Sequence, residues 1–177
     1  MRSIFLMTII LSNLCLNSCS QQPKQVAGHE NNIYYSITDT THLNVNIEEW
    51  KKILPPDLYA VAREKNTERA FTGKYWDKNP IGNYFCAVCG NRLFKSDAKF
   101  ASTCGWPSFF EPVRKNSVVY LTDSSYGMDR VEVECGRCNS HLGHIFNDGP
   151  PPTYKRFCMN SISLNFEPDN ISIELPK

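Results

Sequence analysis

The sequence lacks several features that would settle its class at once. It has no excess of either charge: 19 Lys and Arg stand against 18 Asp and Glu, a formal charge of +1. A chain so balanced carries no broad electrostatic footprint for nucleic acid. It has no apolar run suited to crossing a membrane. The stretch from Ile4 to Leu16, broken only by Thr8, Ser12 and Asn13, is about thirteen residues, whereas a span needs ~20. There is no low-complexity segment, and no internal repeat beyond a paired C-x-x-C element. Apolar residues are not scarce: 41% hydrophobic and 21% charged over 177 residues suffice for one packed domain and exclude disorder of the whole chain.

What is present begins with an address. Arg2 followed by the short apolar run fits a secretory signal. The run ends in Leu16-Asn17-Ser18-Cys19, which resembles a bacterial lipobox, with Asn17 a mild departure. A plain secretory signal with Cys19 as a bystander is the alternative. The lipobox predicts removal of residues 1–18, lipidation of Cys19, and anchoring to a membrane of a bacterial cell envelope, on its periplasmic or surface side. Losing Arg2 would leave 18 basic against 18 acidic residues. Residues 19–46 read as a flexible tether, with Ile33–Ile37 a possible edge strand.

The domain is predicted over 47–177. Ile47–Leu54 reads as a helix capped by Asn46, and Asp57–Glu68 as a second, with Leu58, Val61 and Ala62 on one face. Candidate strands follow at Gly82–Cys86, Arg92–Lys95, Val118–Asp123, Arg130–Glu134, Leu142–Phe146, Arg156–Asn160 and Ser163–Glu167. Val131-Glu132-Val133-Glu134 alternates as a half-buried strand should. Short helices ahead of many short strands predict a compact, mainly β domain.

Eight cysteines are many for a chain of this size. Cys86-Ala87-Val88-Cys89 and Cys135-Gly136-Arg137-Cys138 are two C-x-x-C knuckles, Cys89 and Cys135 being 46 positions apart. Two such turns can complete a tetrahedral four-thiolate zinc site, and four protein thiolates leave no open position, so the metal would be structural. Two disulfides are the alternative that an envelope location permits. Cys104 and Cys158 remain. In Arg156-Phe157-Cys158-Met159-Asn160, Arg156 and Asn160 share a strand face with Cys158, and the cation can favour its thiolate. A buried structural cysteine explains that segment equally well. Cys104-Gly105-Trp106-Pro107 places a thiol beside a large aromatic, and His141-Leu142-Gly143-His144-Ile145-Phe146-Asn147-Asp148 holds two histidines and an acid. A core tryptophan and surface histidines are the blander readings.

Taken together, Cys-Gly-Trp-Pro-Ser-Phe, His-Leu-Gly-His-Ile-Phe-Asn-Asp-Gly-Pro and Arg-Phe-Cys-Met-Asn, interleaved with the two knuckles, resemble the peptide methionine-R-sulfoxide reductases. Thr67–Gly73 resembles their N-terminal signature, with Ala70 in place of the usual Pro. The likeness spans about residues 47–167 in order. Thr103 stands where a Gly is common, which stiffens the loop and removes no reactive group.

The resemblance implies two small antiparallel sheets with short N-terminal helices and a four-cysteine zinc clip: one structural Zn on Cys86, Cys89, Cys135 and Cys138. It implies reduction of the R epimer of methionine sulfoxide, free or in proteins. Cys158 would attack the sulfoxide sulfur and become a sulfenic acid. Cys104 would resolve it to a Cys104–Cys158 disulfide, which a thioredoxin-like donor reduces. His144 would protonate the oxygen, with His141 and Asn160 placing it. Asp148 and Arg156 would orient the histidine and bias the thiolate. Trp106 would wall the S-methyl group. The Gly-Cys-Phe-Trp type motif of the S-epimer enzymes does not occur. A monomer without nucleic-acid partners is expected. Two rival readings are a zinc-ribbon binding module, and a thiol–disulfide oxidoreductase using a C-x-x-C directly. Metal content separates the latter, because a metal-occupied pair cannot cycle.

Overall fold

The computed structural model describes His29 and residues 31–169, the side chain of Tyr126 excepted. The signal segment, the lipobox with Cys19 and the last eight residues lie outside the described residues. Among those described, no helix is long and apolar enough to cross a membrane.

Helix α1, Ile47–Ile53, begins where the Asn46 side chain accepts the Glu48 amide at 2.9 Å. Glu48 and Glu49 open it and Lys51 and Lys52 close it, matching the helix dipole. It buries Trp50 alone. Helix α2, Pro56–Ala62, starts on a proline and buries Leu58, Val61 and Ala62. It stops six residues short of the predicted Glu68. Arg63 leaves the helix to lie over the Trp50 ring at 4.5 Å and to donate to the Cys138 carbonyl at 2.9 Å. Lys65 then turns back at φ +59°. The freed segment lets Glu68 accept the Ser161 and Ile162 amides at 2.6 and 3.0 Å.

Among the described residues, nine strands form two antiparallel sheets. β1 (Gly82–Cys86), β2 (Arg92–Lys95) and β9 (Leu164–Pro168) make a three-stranded sheet in the order β2-β1-β9. The second sheet has the order β3-β4-β8-β7-β6-β5. Its strands are β3 (Lys99–Phe100), β4 (Ser108–Phe109), β5 (Val118–Asp123), β6 (Arg130–Cys135), β7 (His141–Phe146) and β8 (Arg156–Met159). Aromatics seal the space between the sheets. Phe94 of β2 stacks on Phe109 of β4 at 4.3 Å, and Tyr84 of β1 meets Phe109 edge-on at 5.0 Å. Each is fully buried, contributing roughly 1.5–3 kcal/mol of hydrophobic stabilisation.

Two sequence expectations change. The strand β6 does not keep one face exposed: Val131 lies outside at 41%, but Glu132, Val133 and Glu134 are all buried, at 3%, 0% and 7% exposure. Lys65 makes the two buried glutamates tolerable: its Nζ bridges Glu132 at 2.7 Å and Glu134 at 3.3 Å. The tether predicted to residue 46 is, over residues 31–46, a strap lying against the first knuckle. No strand forms at Ile33–Ile37. Instead the Asn32 side chain donates to Val88 O at 2.8 Å, and the Ser36 amide to Cys89 O at 3.0 Å. Arg137, with only 3% of its side chain exposed, donates to Tyr34 O, Thr41 O, Cys89 O and the Asp39 carboxylate.

Candidate active site and metal centre

The two knuckles fold the same way. Gly90 N donates to Cys86 O at 2.8 Å and Asn139 N to Cys135 O at 2.9 Å, closing equivalent turns. Both end in left-handed backbone, Gly90 at φ +78° and Asn139 at φ +55°. Only glycine fits the first, because a Cβ there would meet the Ser36 carbonyl oxygen of the strap at 2.6 Å. All four sulfurs are buried and lie within 4.8 Å of one another. Cys86 and Cys138 are 3.7 Å apart, Cys89 and Cys135 3.6 Å. A tetrahedron of ~2.3 Å zinc–sulfur bonds has edges of about 3.8 Å, so the set fits zinc and is too wide for disulfides at ~2.05 Å. The Asn91 amide at 3.5 Å from Cys135 Sγ and the Ser140 hydroxyl at 3.1 Å from Cys138 Sγ supply the hydrogen bonds that thiolate ligands require.

The other two thiols meet elsewhere. β8 carries Cys158, and the loop before β4 carries Cys104; their sulfurs are 3.4 Å apart and both are free and half-buried. In the sheet, His144 of β7 lies directly between Glu132 of β6 and Cys158 of β8, and Ser108 of β4 continues the row. The close approach depends on Gly143, where a Cβ would lie 2.1 Å from the Cys158 carbonyl oxygen. A cavity of about 110 Å³ opens on this row, lined by Trp106, His144, Phe146, Cys158 and Asn160 among others. A wider polar cleft of about 860 Å³ adjoins it through Thr67, Arg130 and His144.

The thiols share their ionisation. Burial opposes a thiolate at Cys104, but hydrogen bonds from Ser102 and Ser108 and the neighbouring Cys158 outweigh it and bring Cys104 down to about 7. Burial and the negative Cys104 beside it push Cys158 up to about 12, with Arg156 pulling the other way. Two thiols in contact cannot both ionise cheaply, so the pair carries at most one negative charge near neutral pH, held mainly on Cys104. Charge reaches Cys158 when its proton passes to the adjacent sulfur.

The remaining expected residues are distributed unevenly. Trp106 walls the cavity, its indole N–H held by Glu68 O at 3.2 Å. Asn160 lines it too, but its carboxamide is engaged: Nδ2 donates to Leu142 O and Oδ1 accepts from Glu68 N. His141 is buried, with Nδ1 on Glu132 at 2.6 Å and Nε2 without a partner. Burial lowers the His141 pKa against the pull of Glu132. The expectation that Asp148 orients the histidine is corrected. Asp148 forms a two-pronged pair with Arg156, at 2.9 and 2.8 Å. The carboxylate on His144 is Asp123, whose Oδ2 is 2.7 Å from Nε2. Sequence reading missed Asp123, Glu132 and Lys65. The register that brings Asp123 opposite Arg130 is set by the β5–β6 pairing and leaves no mark in the sequence.

A free thiol pair in a small cavity beside histidine, on a β scaffold clipped by four further cysteines, defines a thiol-dependent oxidoreductase. Comparison with known proteins narrows the class. Residues 54–168 match the SelR domain. A peptide methionine sulfoxide reductase MsrB of Thiobacillus denitrificans is 55% identical over 120 residues, covering 68% of this chain and 91% of that protein. The MsrB of Methanosarcina barkeri is 54% identical over 120 residues (68% and 84%), and that of Leptospira interrogans 50% over 125 residues (71% and 95%). The chain belongs to the SelR domain family, that of the MsrB peptide methionine sulfoxide reductases.

Proposed function

We propose that this protein reduces the R epimer of methionine sulfoxide, using Cys158 as nucleophile and Cys104 as resolving thiol. The activity class, methionine sulfoxide reduction, follows from the family. The observation that carries the mechanism is the 3.4 Å contact between Cys104 and Cys158 at a cavity walled by Trp106 and His144.

Cys158 thiolate attacks the sulfoxide sulfur while the oxygen accepts a proton from His144. Oxygen passes to Cys158 as a sulfenic acid and methionine leaves. The Cys104 thiol then displaces water, forming the disulfide, and a thioredoxin-like dithiol returns both cysteines to the reduced state. Arg156 favours charge on Cys158, and its pairing with Asp148 holds the guanidinium in place. An apolar Trp106 face suits the S-methyl group and disfavours the oxygen, which selects one epimer. The four-cysteine set would hold a structural zinc, whose contribution is to tie the knuckles together. A thiol–disulfide exchange role for either C-x-x-C is disfavoured, because all four sulfurs converge on one point.

Turnover of separated R and S epimers with dithiothreitol tests this reading: R reduced and S untouched supports it, and equal rates overturn the epimer assignment. We also propose that Cys19 is lipidated and holds the protein at a membrane of the cell envelope. Cys19→Ser should release it, and an unmodified Cys19 inside the mature chain would refute the anchor.

A further inference from the structure

Asp123 is the last residue of β5 and sits directly opposite Arg130, the first residue of β6. Its carboxylate is fixed from several sides. The Ser125 amide donates to Oδ1 at 2.9 Å, and Arg130 Nη2 donates to Oδ2 at 2.7 Å. The same Oδ2 accepts His144 Nε2 at 2.7 Å, with the two side chains only 13% and 15% exposed. Hydrogen bonds from Ser125, His144 and Arg130 hold this carboxyl well below the usual carboxylate range, so it is charged at every working pH. The other charged or titratable groups around His144 are Arg130 and Glu132 on β6, His141 on its own strand, and Cys158 and Arg156 on β8. Glu132 is already committed to His141 and Lys65. Asp123 is therefore the carboxylate available to His144.

We propose that Asp123 is a positioning residue of the reaction. It holds His144 by Nε2–H, so that Nδ1 is the nitrogen left to deliver a proton, and it stabilises the imidazolium from which that proton comes. Three strands then contribute in sequence: β5 the anchoring carboxylate, β7 the acid, β8 the nucleophile. As the Cys158 thiolate attacks sulfur, the Nδ1 proton goes to the sulfoxide oxygen and the imidazolium becomes neutral. Oxygen ends on Cys158 and the thioether is released. The carboxylate does not itself become protonated. Arg130 limits the effect, since its positive charge sits on the same oxygen.

The proposal rests on the function given above, but its test has a readout independent of turnover. The titration of the His144 ring protons is followed by NMR in the full chain, together with the pH profile of single-turnover methionine formation. Asp123→Asn is expected to lower the His144 titration midpoint. It should move the alkaline limb of the rate profile to lower pH by the same amount and cost at least about tenfold in rate at neutral pH. KM should change little. Arg130→Gln leaves the carboxylate unopposed and is expected to move the midpoint the other way. Asp123→Glu, which keeps the charge, should recover most of the shift. An unmoved His144 titration in Asp123→Asn, or a shift of the same sign in Arg130→Gln, would overturn the proposal even if the enzyme is active. Absence of methionine formation in the unmodified chain would instead defeat the functional reading.

Discussion

At Cys104 and Cys158 the chemistry divides between two atoms 3.4 Å apart. Cys158→Ser is expected to abolish reduction with every reductant, because a hydroxyl is a far weaker nucleophile than a thiolate at neutral pH. Cys104→Ser should lose turnover with a thioredoxin-like protein yet release about one methionine per enzyme in a single turnover, leaving a sulfenic acid that dimedone traps. Equal loss in both variants would remove the division of labour. Charge sharing makes a second prediction. Arg156 pulls the Cys158 thiol down, against burial and Cys104. Arg156→Gln should therefore raise it, and the acid limb of the single-turnover rate should move to higher pH; a limb that stays in place or moves acid-ward contradicts that role. Cys104, Cys158, Trp106 and the histidines could be singled out in the sequence through the resemblance to a known family, whereas by residue type alone the Cys158 segment reads equally well as structural. Asp123 could not be singled out. Followed by Ser124 and Ser125, it reads as a turn residue ending a strand, and its Oδ1 does make that turn. Its other oxygen acts across 21 positions of sequence, a distance that only strand pairing closes.

Among the elements, strands with their own hydrophobic signal appeared where the sequence put them: Gly82–Cys86, Arg92–Lys95 and Val118–Asp123 agree to the residue. Lys99–Phe100 and Ser108–Phe109 were invisible, since two residues hold no period and exist as strands only because β8 pairs with Ser108–Phe109. Burial of β6 on both faces from Glu132 onward escapes the sequence for a related reason. A glutamate reads as solvent-facing unless the lysine that neutralises it is known, and Lys65 comes from the far side of a helix stop. The knuckles, by contrast, declare themselves by spacing. Replacing any of Cys86, Cys89, Cys135 or Cys138 with Ser should remove about one zinc per chain and destabilise the fold grossly, because metal binding is coupled to folding. Metal analysis beside thermal melting checks this; a metal-free protein that melts cooperatively at the original temperature would refute it.

For the whole molecule, the fold begins earlier than residue 47. Arg137 sends its donors into the strap at Tyr34, Asp39 and Thr41, and Tyr34 packs edge-on against Trp50 at 5.2 Å. A chain starting at residue 47 would leave that guanidinium without those acceptors. Losing a few such hydrogen bonds costs a few kcal/mol, so the melting temperature should fall on the order of 10 °C. A chain starting at residue 29 should melt like the full protein. Equal melting of both shortened forms would show that the strap contributes nothing. The polar residues of this stretch hid its docking: Asn32, Ser36, Asp39 and Thr41 resemble linker composition but bond through backbone and side chain to the knuckles.

The strap also decides where force enters the protein. A lipid at Cys19 would leave 10 positions to His29, a reach of at most about 35 Å from the membrane, and so a short leash. Tension along it would arrive first at His29, which stacks on Tyr35 at 3.7 Å and lies 2.7 Å from the Asn165 amide of β9, and then at Asn32 and Ser36, which bond to Val88 and Cys89 of the first knuckle. A metal held by four thiolates there would act as the mooring point. β6 runs from Cys135 at that mooring to Glu132 in the row of His144 and Cys158, three residues or about 10 Å along the strand. Tugging from the membrane would thus be absorbed on the far side of that stretch of strand from the two reacting sulfurs.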